Sequence, residues 1–359
     1  MEITGFIKSA PDWEEKLTSP PYNIKIKRDG GFVLLKYEQF NSDFSIPLVR
    51  ECRGIILDET NDFLPVCVPF FKFGNFGENY VPEIDWETAR VQEKLDGSLI
   101  KLWHYKGDWH ISSNGEIDAK NAKIKSALLS GNELTDLYNL FIEAWDKTGV
   151  SMAGLDKDLT YMFELTSPHN RVVVRFNDTA VWHIGARNNR SFLECDVDIG
   201  IQKPKTYPLK SLNECIESAK LLGYDDEGYV IVDRFYNRIK VKSPLYVALN
   251  SMVQGTTTRG NIVEIIMRNE QDEFLTYFPE YREVFSEILG QIDSFSARQD
   301  ALFRDILSQS FESRKTLAEV VTKTECPACL FALYDKKAAD AKEWLLSRPV
   351  DKIVSIISI

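Results

Sequence analysis

An α+β fold is expected for this chain, with antiparallel sheets and flanking helices over residues 1–250 and an all-α domain over residues 251–359. Three observations carry that expectation. Short apolar runs of strand length, separated by turn residues, dominate the first 250 residues. Two helical stretches interrupt them, and beyond about residue 251 the apolar spacing turns helical throughout.

Taken in order, residues 31–37 and 53–57 have strand length and composition. Residues 90–95 and 99–105 flank Asp96-Gly97, a pair that favours a tight hairpin turn. Lys106-Gly107-Asp108 then turns the chain into a strand over residues 109–113. Residues 159–165, 171–176 and 180–187 continue the sheet, and residues 228–233 and 239–241 complete it. The interrupting helices fall at residues 133–147, where Leu137, Leu140, Phe141 and Trp145 recur at helical spacing, and at residues 209–222. From Tyr281, the positions Val284, Phe285, Ile288, Leu289, Ile292 and Phe295 mark one face of a long helix. Shorter helices are expected at residues 315–321 and 339–346.

With 359 residues and 44% hydrophobic content, the chain can bury a large core and should hold about two domains. A net charge of −11 argues at first against a nucleic-acid partner, yet a local cationic cleft can bind phosphates on an acidic protein. The tail from Ser251 onward holds 13 basic and 17 acidic residues and shows no polyanion-binding face. Six scattered cysteines read as free thiols in a reducing compartment. Cys326-Pro-Ala-Cys329 is half of a zinc motif without a second pair or a nearby histidine, so no metal is assigned to it. The first residues lack a basic region leading into an apolar stretch, and no run approaches the ~18–20 residues of a membrane helix. A soluble, cytoplasmic protein is expected.

The chemistry centres on Lys94, in Glu93-Lys94-Leu95-Asp96-Gly97-Ser98. Glu164, Glu227-Gly228 and Lys240-Val241-Lys242 follow it in order. Covalent nucleotidyl transfer needs such a set: a nitrogen nucleophile, cations for a triphosphate, and carboxylates for a ribose and a metal. Holding a lysine neutral near pH 7 costs about 4–5 kcal/mol, which neighbouring ammonium groups and desolvation offset. Lys240 and Lys242 alternate on one strand, so both point to one face. Taken singly, Lys-x-Asp-Gly reads as a surface turn and Lys-Val-Lys as a solvated strand face. Order and spacing together favour the chemical reading.

These segments resemble motifs I, III, IV and V of the covalent nucleotidyltransferases, which include polynucleotide ligases and mRNA capping enzymes. Within them the chain looks most like the phage T4 RNA ligase 1 family. The closer match lies in Glu51-Cys52-Arg53-Gly54-Ile55, Glu164-Leu165-Thr166-Ser167-Pro168-His169-Asn170-Arg171-Val172-Val173, Glu227-Gly228-Tyr229-Val230 and Lys240-Val241-Lys242-Ser243 with Tyr246-Val247. It spans about residues 34–251 and fades in the tail.

The resemblance implies an ATP-grasp-like ligase domain and an ATP-dependent RNA ligase. Lys94 would attack the α-phosphate of ATP to give a lysyl-N-AMP, and Lys240 and Lys242 would bind that phosphate. Arg53 and Lys72 would contact the β- and γ-phosphates, Glu164 the ribose, and the Glu93 backbone the adenine edge. Tyr37, Asp96 and Gly97 fall at nucleotide-contacting positions. Glu227 would assist Mg2+ or Mn2+, joined by Asp272-Glu273 at the start of the tail. AMP would then pass to an RNA 5′-phosphate, and a 3′-hydroxyl would expel it; family precedent points to nicked tRNA loops. Asn114, in Ser113-Asn114-Gly115, replaces a family lysine and weakens one expected phosphate contact. A DNA ligase or a GTP-using capping enzyme remains as an alternative within the class, although both typically carry an OB domain where this tail reads helical. A non-catalytic RNA-end-binding protein is the alternative outside it.

Overall fold

Four short strands, β1 (Ile24–Asp29), β2 (Phe32–Tyr37), β3 (Arg53–Asp58) and β4 (Leu64–Cys67), form an antiparallel sheet in sequential order. One face buries Val33, Leu35, Ile55 and Leu57 against Ile3, Ile7 and Leu17 of α1 (Glu2–Ser9) and α2 (Trp13–Thr18). Glu51, at the end of α3 (Pro47–Glu51), accepts the free N–H groups of Glu2 and Ile3 at 3.0 and 2.9 Å and so caps α1. These helices are too short for a periodic signal, and sequence reading passed over them.

A second, five-stranded antiparallel sheet runs in the order β12 (Glu194–Cys195), β11 (Ala180–Asn188), β10 (Leu159–Thr166), β6 (Ser98–Tyr105) and β7 (Asp108–Ser113). Against it packs α4 (Leu137–Thr148), whose Leu137, Leu140, Phe141 and Trp145 meet Ile100, Leu102, Tyr161 and Phe163. Asp136 caps that helix through the Asn139 N–H, and Gly149, at φ 70°, ends it in the left-handed conformation. A two-stranded antiparallel ribbon of β8 (Lys123–Lys125) and β9 (Leu134–Asp136) precedes the helix.

The third sheet holds β13 (Thr206–Tyr207), β5 (Arg90–Glu93), β14 (Gly228–Val232) and β15 (Arg238–Lys242), in that order, also antiparallel. Behind it lies α5 (Leu212–Ala219), shorter than the expected 209–222; at its start the N-cap Ser211 hydroxyl accepts the Glu214 N–H at 3.2 Å, and the Glu214 carboxylate accepts the Lys210 N–H at 2.7 Å.

Two expectations fail here. The strands flanking Asp96-Gly97 do not form a hairpin, because β5 pairs with β14 and β6 pairs with β10 and β7. Residues 94–97 instead cross from one sheet to the other. Lys94 N–H binds the Gly228 carbonyl at 2.9 Å, and the Asp96 carboxylate is engaged by distant groups, so tertiary partners override the local turn preference. Nor do residues 172–176 form a strand. Their chain bends, and the Val173 and Val174 N–H groups turn to Asp96 Oδ2 at 2.7 and 2.8 Å.

The computed structural model describes residues 1–39, 41–125, 134–170, 172–223, 225–251, 259–267, 271, 275, 281–309 and 314–358. Two compact units divide it, Met1–Val247 and Ala248–Ile359, the boundary falling inside α6 (Pro244–Ser251). The second unit contains α7 (Arg259–Met267), α8 (Arg282–Ser308), α9 (Arg314–Val321), α10 (Pro327–Tyr334), α11 (Ala341–Leu346) and α12 (Val350–Ile357). On α8 the buried stripe is Phe285, Ile288, Ile292 and Phe295, as the spacing implied; Val284 lies off it and is exposed. No described helix is long and apolar enough to cross a membrane.

Candidate active site

Between the second and third sheets opens a cavity of about 160 Å³. Six of the residues singled out from sequence line it: Arg53, Glu93, Lys94, Glu164, Lys240 and Lys242. Antiparallel pairing explains the convergence. Lys94 follows β5 directly, Gly228 at the start of β14 lies opposite Lys242, and Val230 lies opposite Lys240. Gly228 sits at φ 136°, and a Cβ there would come within 2.2 Å of the Val241 carbonyl oxygen, so this close strand approach requires glycine.

Glu227 holds two of the cations together. Its Oε2 accepts from Lys94 Nζ at 2.6 Å and its Oε1 pairs with Lys242 Nζ at 3.0 Å. The carboxylate is only 4% exposed, while the Lys94 side chain is 20% exposed and reaches the cavity. Lys240 lies farther along the same strand face, its ammonium 5.3 Å from the Phe73 ring centre. Burial pushes it down to about 6, and the charges of Lys72, Lys94, Arg53 and Lys242 add to that.

Glu164 faces these cations from β10 and accepts the Gly97 N–H at 3.1 Å. Burial raises its carboxyl to about 7 against the pull of Lys94. Gly97 serves this approach: a Cβ there would lie 2.4 Å from the Leu165 carbonyl oxygen. Arg53 projects from β3 over the Phe73 ring at 5.1 Å, and its Nη1 is buried without a partner among the described residues. A buried, unpaired guanidinium nitrogen beside further cations suits a phosphate oxygen.

Other candidates stand one step back. Lys72 is buried, with its ammonium 4.7 Å from the Phe44 ring centre and 5.6 Å from that of Tyr37. Burial lowers its pKa; Glu78 opposes this, and Arg53 and Lys242 contribute. Tyr37 thus forms part of the aromatic floor under Lys72 and does not line the cavity. Asp96 does not line it either. Its carboxylate accepts from Val173 N, Val174 N and, at 2.6 Å, the Tyr246 hydroxyl, which ties the Lys94 segment to two distant stretches of chain. The Glu93 N–H is committed to the Lys205 carbonyl at 2.7 Å, leaving its carbonyl and side chain for a base. Asp272 and Glu273 lie outside the described residues. Beside Asn114, the Lys36 ammonium lies 3.3 Å from where a Gly115 Cβ would be, so β2 brings a positive charge to that place.

Sequence reading missed Arg238, Phe70 and Phe73, all of which line the cavity. Arg238 was within reach, since Arg238, Lys240 and Lys242 share the period-two face from which the two lysines were read.

A family model described as RNA ligase, of the T4 RNA ligase 1 type, matches residues 51–246, over half of the chain, and so defines an RNA-joining class of enzyme. The chain belongs to this RNA ligase family. A baculovirus protein described as a bifunctional polynucleotide kinase/RNA ligase, from Autographa californica nuclear polyhedrosis virus, is 30% identical over 297 residues. That alignment covers 77% of this chain and 42% of the viral protein, so the chain spans less than half of that relative's length. An RNA ligase of Rhodothermus phage RM378 is 26% identical over 354 residues, covering 80% of each chain. Among solved structures, an archaeal ATP-dependent RNA ligase shares 13% identity at a TM-score of 0.45, covering 82% of this chain and 81% of its own.

Proposed function

We propose that this chain is an ATP-dependent ligase that joins RNA 5′-phosphate and 3′-hydroxyl ends through an AMP bonded to Lys94. The observation that carries the reading is the Lys94–Glu227 contact of 2.6 Å at the wall of a cavity lined by Arg53, Lys240 and Lys242. Attack of Lys94 Nζ on the α-phosphorus forms a P–N bond and breaks the P–O bond to pyrophosphate. Glu227 Oε2 is placed to accept the proton that the amine gives up. Lys240, Lys242 and Arg53 neutralise the oxygens on which charge gathers, and Glu164 supports the ribose.

An oxygen of the RNA 5′-phosphate next displaces Lys94, giving a pyrophosphate-linked end. The 3′-hydroxyl then forms the phosphodiester and releases AMP. Both Glu227 oxygens are engaged by lysines, and among the described residues no cluster of three acidic, histidine or cysteine side chains forms a metal site, so Mg2+ or Mn2+ would be held chiefly by the phosphate oxygens of ATP, with Glu227 nearby, and would polarise the phosphate when bound. All of these residues fall in the unit Met1–Val247, which we assign to adenylyl transfer, with the helical unit selecting the RNA, a break in a tRNA loop being the substrate class proposed. The setting proposed is cytoplasmic.

The test is incubation of the full chain with α-labelled ATP and Mg2+. Wild type should retain label on protein, and Lys94→Ala should lose it by about a thousandfold or more. Equal labelling of the two would remove Lys94 from the role. Circularisation of a 5′-phosphorylated oligonucleotide should follow with RNA and fail with DNA; the reverse preference would make this a DNA-joining enzyme.

A further inference from the structure

The far end of the cavity from Lys94 is built differently from the phosphate end. Gln92, Ile184 and Arg238 line both the main cavity and a smaller chamber of about 30 Å³ behind it, so they form its back wall. Phe70, Pro204 and Val230 add apolar surface in the main cavity. Lys242, beside the nucleophile, lies four residue steps along β15 from Arg238, a span of about 13 Å. That is roughly the length of one nucleoside monophosphate. With the α-phosphorus at Lys94, the flat apolar end receives the base.

Arg238 is aimed rather than free. Its guanidinium stacks 4.1 Å from the Phe70 ring centre, and its Nη1 donates to Glu194 Oε2. The other Glu194 oxygen accepts Arg187 Nη2 at 2.6 Å, and Arg187 in turn stacks 4.0 Å from the Phe71 ring centre. The three side chains are 9%, 7% and 6% exposed. Two guanidinium groups share one carboxylate, which leaves one positive charge in excess. Among the described residues, Glu194 is the acceptor found for Arg238, so Nε and Nη2 remain to donate into the cavity. A buried ion cluster adds little stability by itself, whereas a guanidinium fixed in orientation recognises a planar ligand well.

We propose that Arg238 contacts the base of the bound nucleotide by donating to a ring nitrogen of adenine, and that Glu194, braced by Arg187, is the positioning residue that aims it. A guanidinium only donates, and the adenine ring nitrogens N1, N3 and N7 only accept. The inference rests on the ATP reading above and adds to it the group that reads the base.

The experiment compares self-adenylylation of the full-length protein with ATP, 1-deaza-ATP, 3-deaza-ATP and 7-deaza-ATP. In wild type, one analogue should raise the half-saturating concentration about tenfold or more with little change in maximal rate. Arg238→Met should show that rise with ATP itself and no added rise with that analogue. Glu194→Gln should show a smaller rise in the same parameter, a split that loss of folding would not produce. The proposal is overturned if no analogue costs wild type anything, or if the analogue penalty persists undiminished in Arg238→Met. Should Arg238→Met fail to fold, Arg238→Leu, which likewise cannot donate, takes its place in the comparison under the same two criteria. Absence of label with ATP in wild type would instead sink the ligase reading itself, so the two failures are distinguishable.

Discussion

The wall formed by β5, β14 and β15 presents Lys94, Lys240, Lys242 and Arg238 to the cavity, whereas β10 and β11 present Glu164 and Ile184. Both walls are antiparallel sheets with one face in an apolar core, and both carry ionisable groups that burial disfavours. They are strained in opposite senses. Burial and like charges push Lys240 down to about 6, while burial pushes Glu164 up to about 7. An anionic ligand relieves the first wall and does nothing for the second. The difference teaches that the cleft is arranged for a charged guest, at some cost to the stability of the chain alone.

Removing the carboxylate that pins two cations should break the contrast most severely. Glu227→Ala leaves Lys94 and Lys242 without their shared partner, and self-labelling with ATP should fall about 100- to 1000-fold. Labelling within twofold of wild type would show that Glu227 does not serve Lys94 in labelling. Asp96, in the segment that joins the two walls, comes next. Asp96→Ala removes the carboxylate that accepts from the Val173 and Val174 N–H groups and the Tyr246 hydroxyl, so unfolding free energy from urea titration should drop by about 3 kcal/mol or more. An unchanged urea midpoint would contradict that clamp.

The smallest effects sharpen the comparison through pH. The folded pKa of Lys240 lies below its ordinary 10.5, so this group's contribution to stability is present above 10.5 and lost as pH falls toward about 6. Lys240→Met should therefore gain melting temperature, by about 2–5 °C, and gain more at pH 6 than at pH 9. Glu164 has a folded pKa above its ordinary 4.5, so its contribution is complete below 4.5 and lost as pH rises through about 7. Glu164→Gln should accordingly gain more at pH 8 than at pH 5. Thermal unfolding of both variants across this range should give slopes of opposite sign; parallel slopes would mean the two walls do not differ as described.

Much of the site was legible because its chemistry follows chain order. Lys94, Glu164, Lys240 and Lys242 were read from residue type and spacing and all line the cavity, with Glu227 in contact with two of them. The strands and α4 were legible through their period. What escaped depends on partners far away in sequence. The Asp96-Gly97 pair carries a local preference for a hairpin, and nothing nearby announces that Val173, Val174 and Tyr246 will claim the Asp96 carboxylate. For the same reason residues 172–176, apolar enough for a strand, bend instead. Tyr37 and Lys72 are side by side as residue types suited to a nucleotide, yet the ring supports the ammonium from beneath, a role visible only in three dimensions.

The grip of Glu227 on Lys94 also bears on chemical wear. An amine held at 2.6 Å by a buried carboxylate, with four-fifths of its side chain covered, is shielded from reducing sugars and bulky acyl donors. In the resting protein this nitrogen is sheathed against adventitious damage, so long incubation with such reagents should modify the exposed surface lysines well before it.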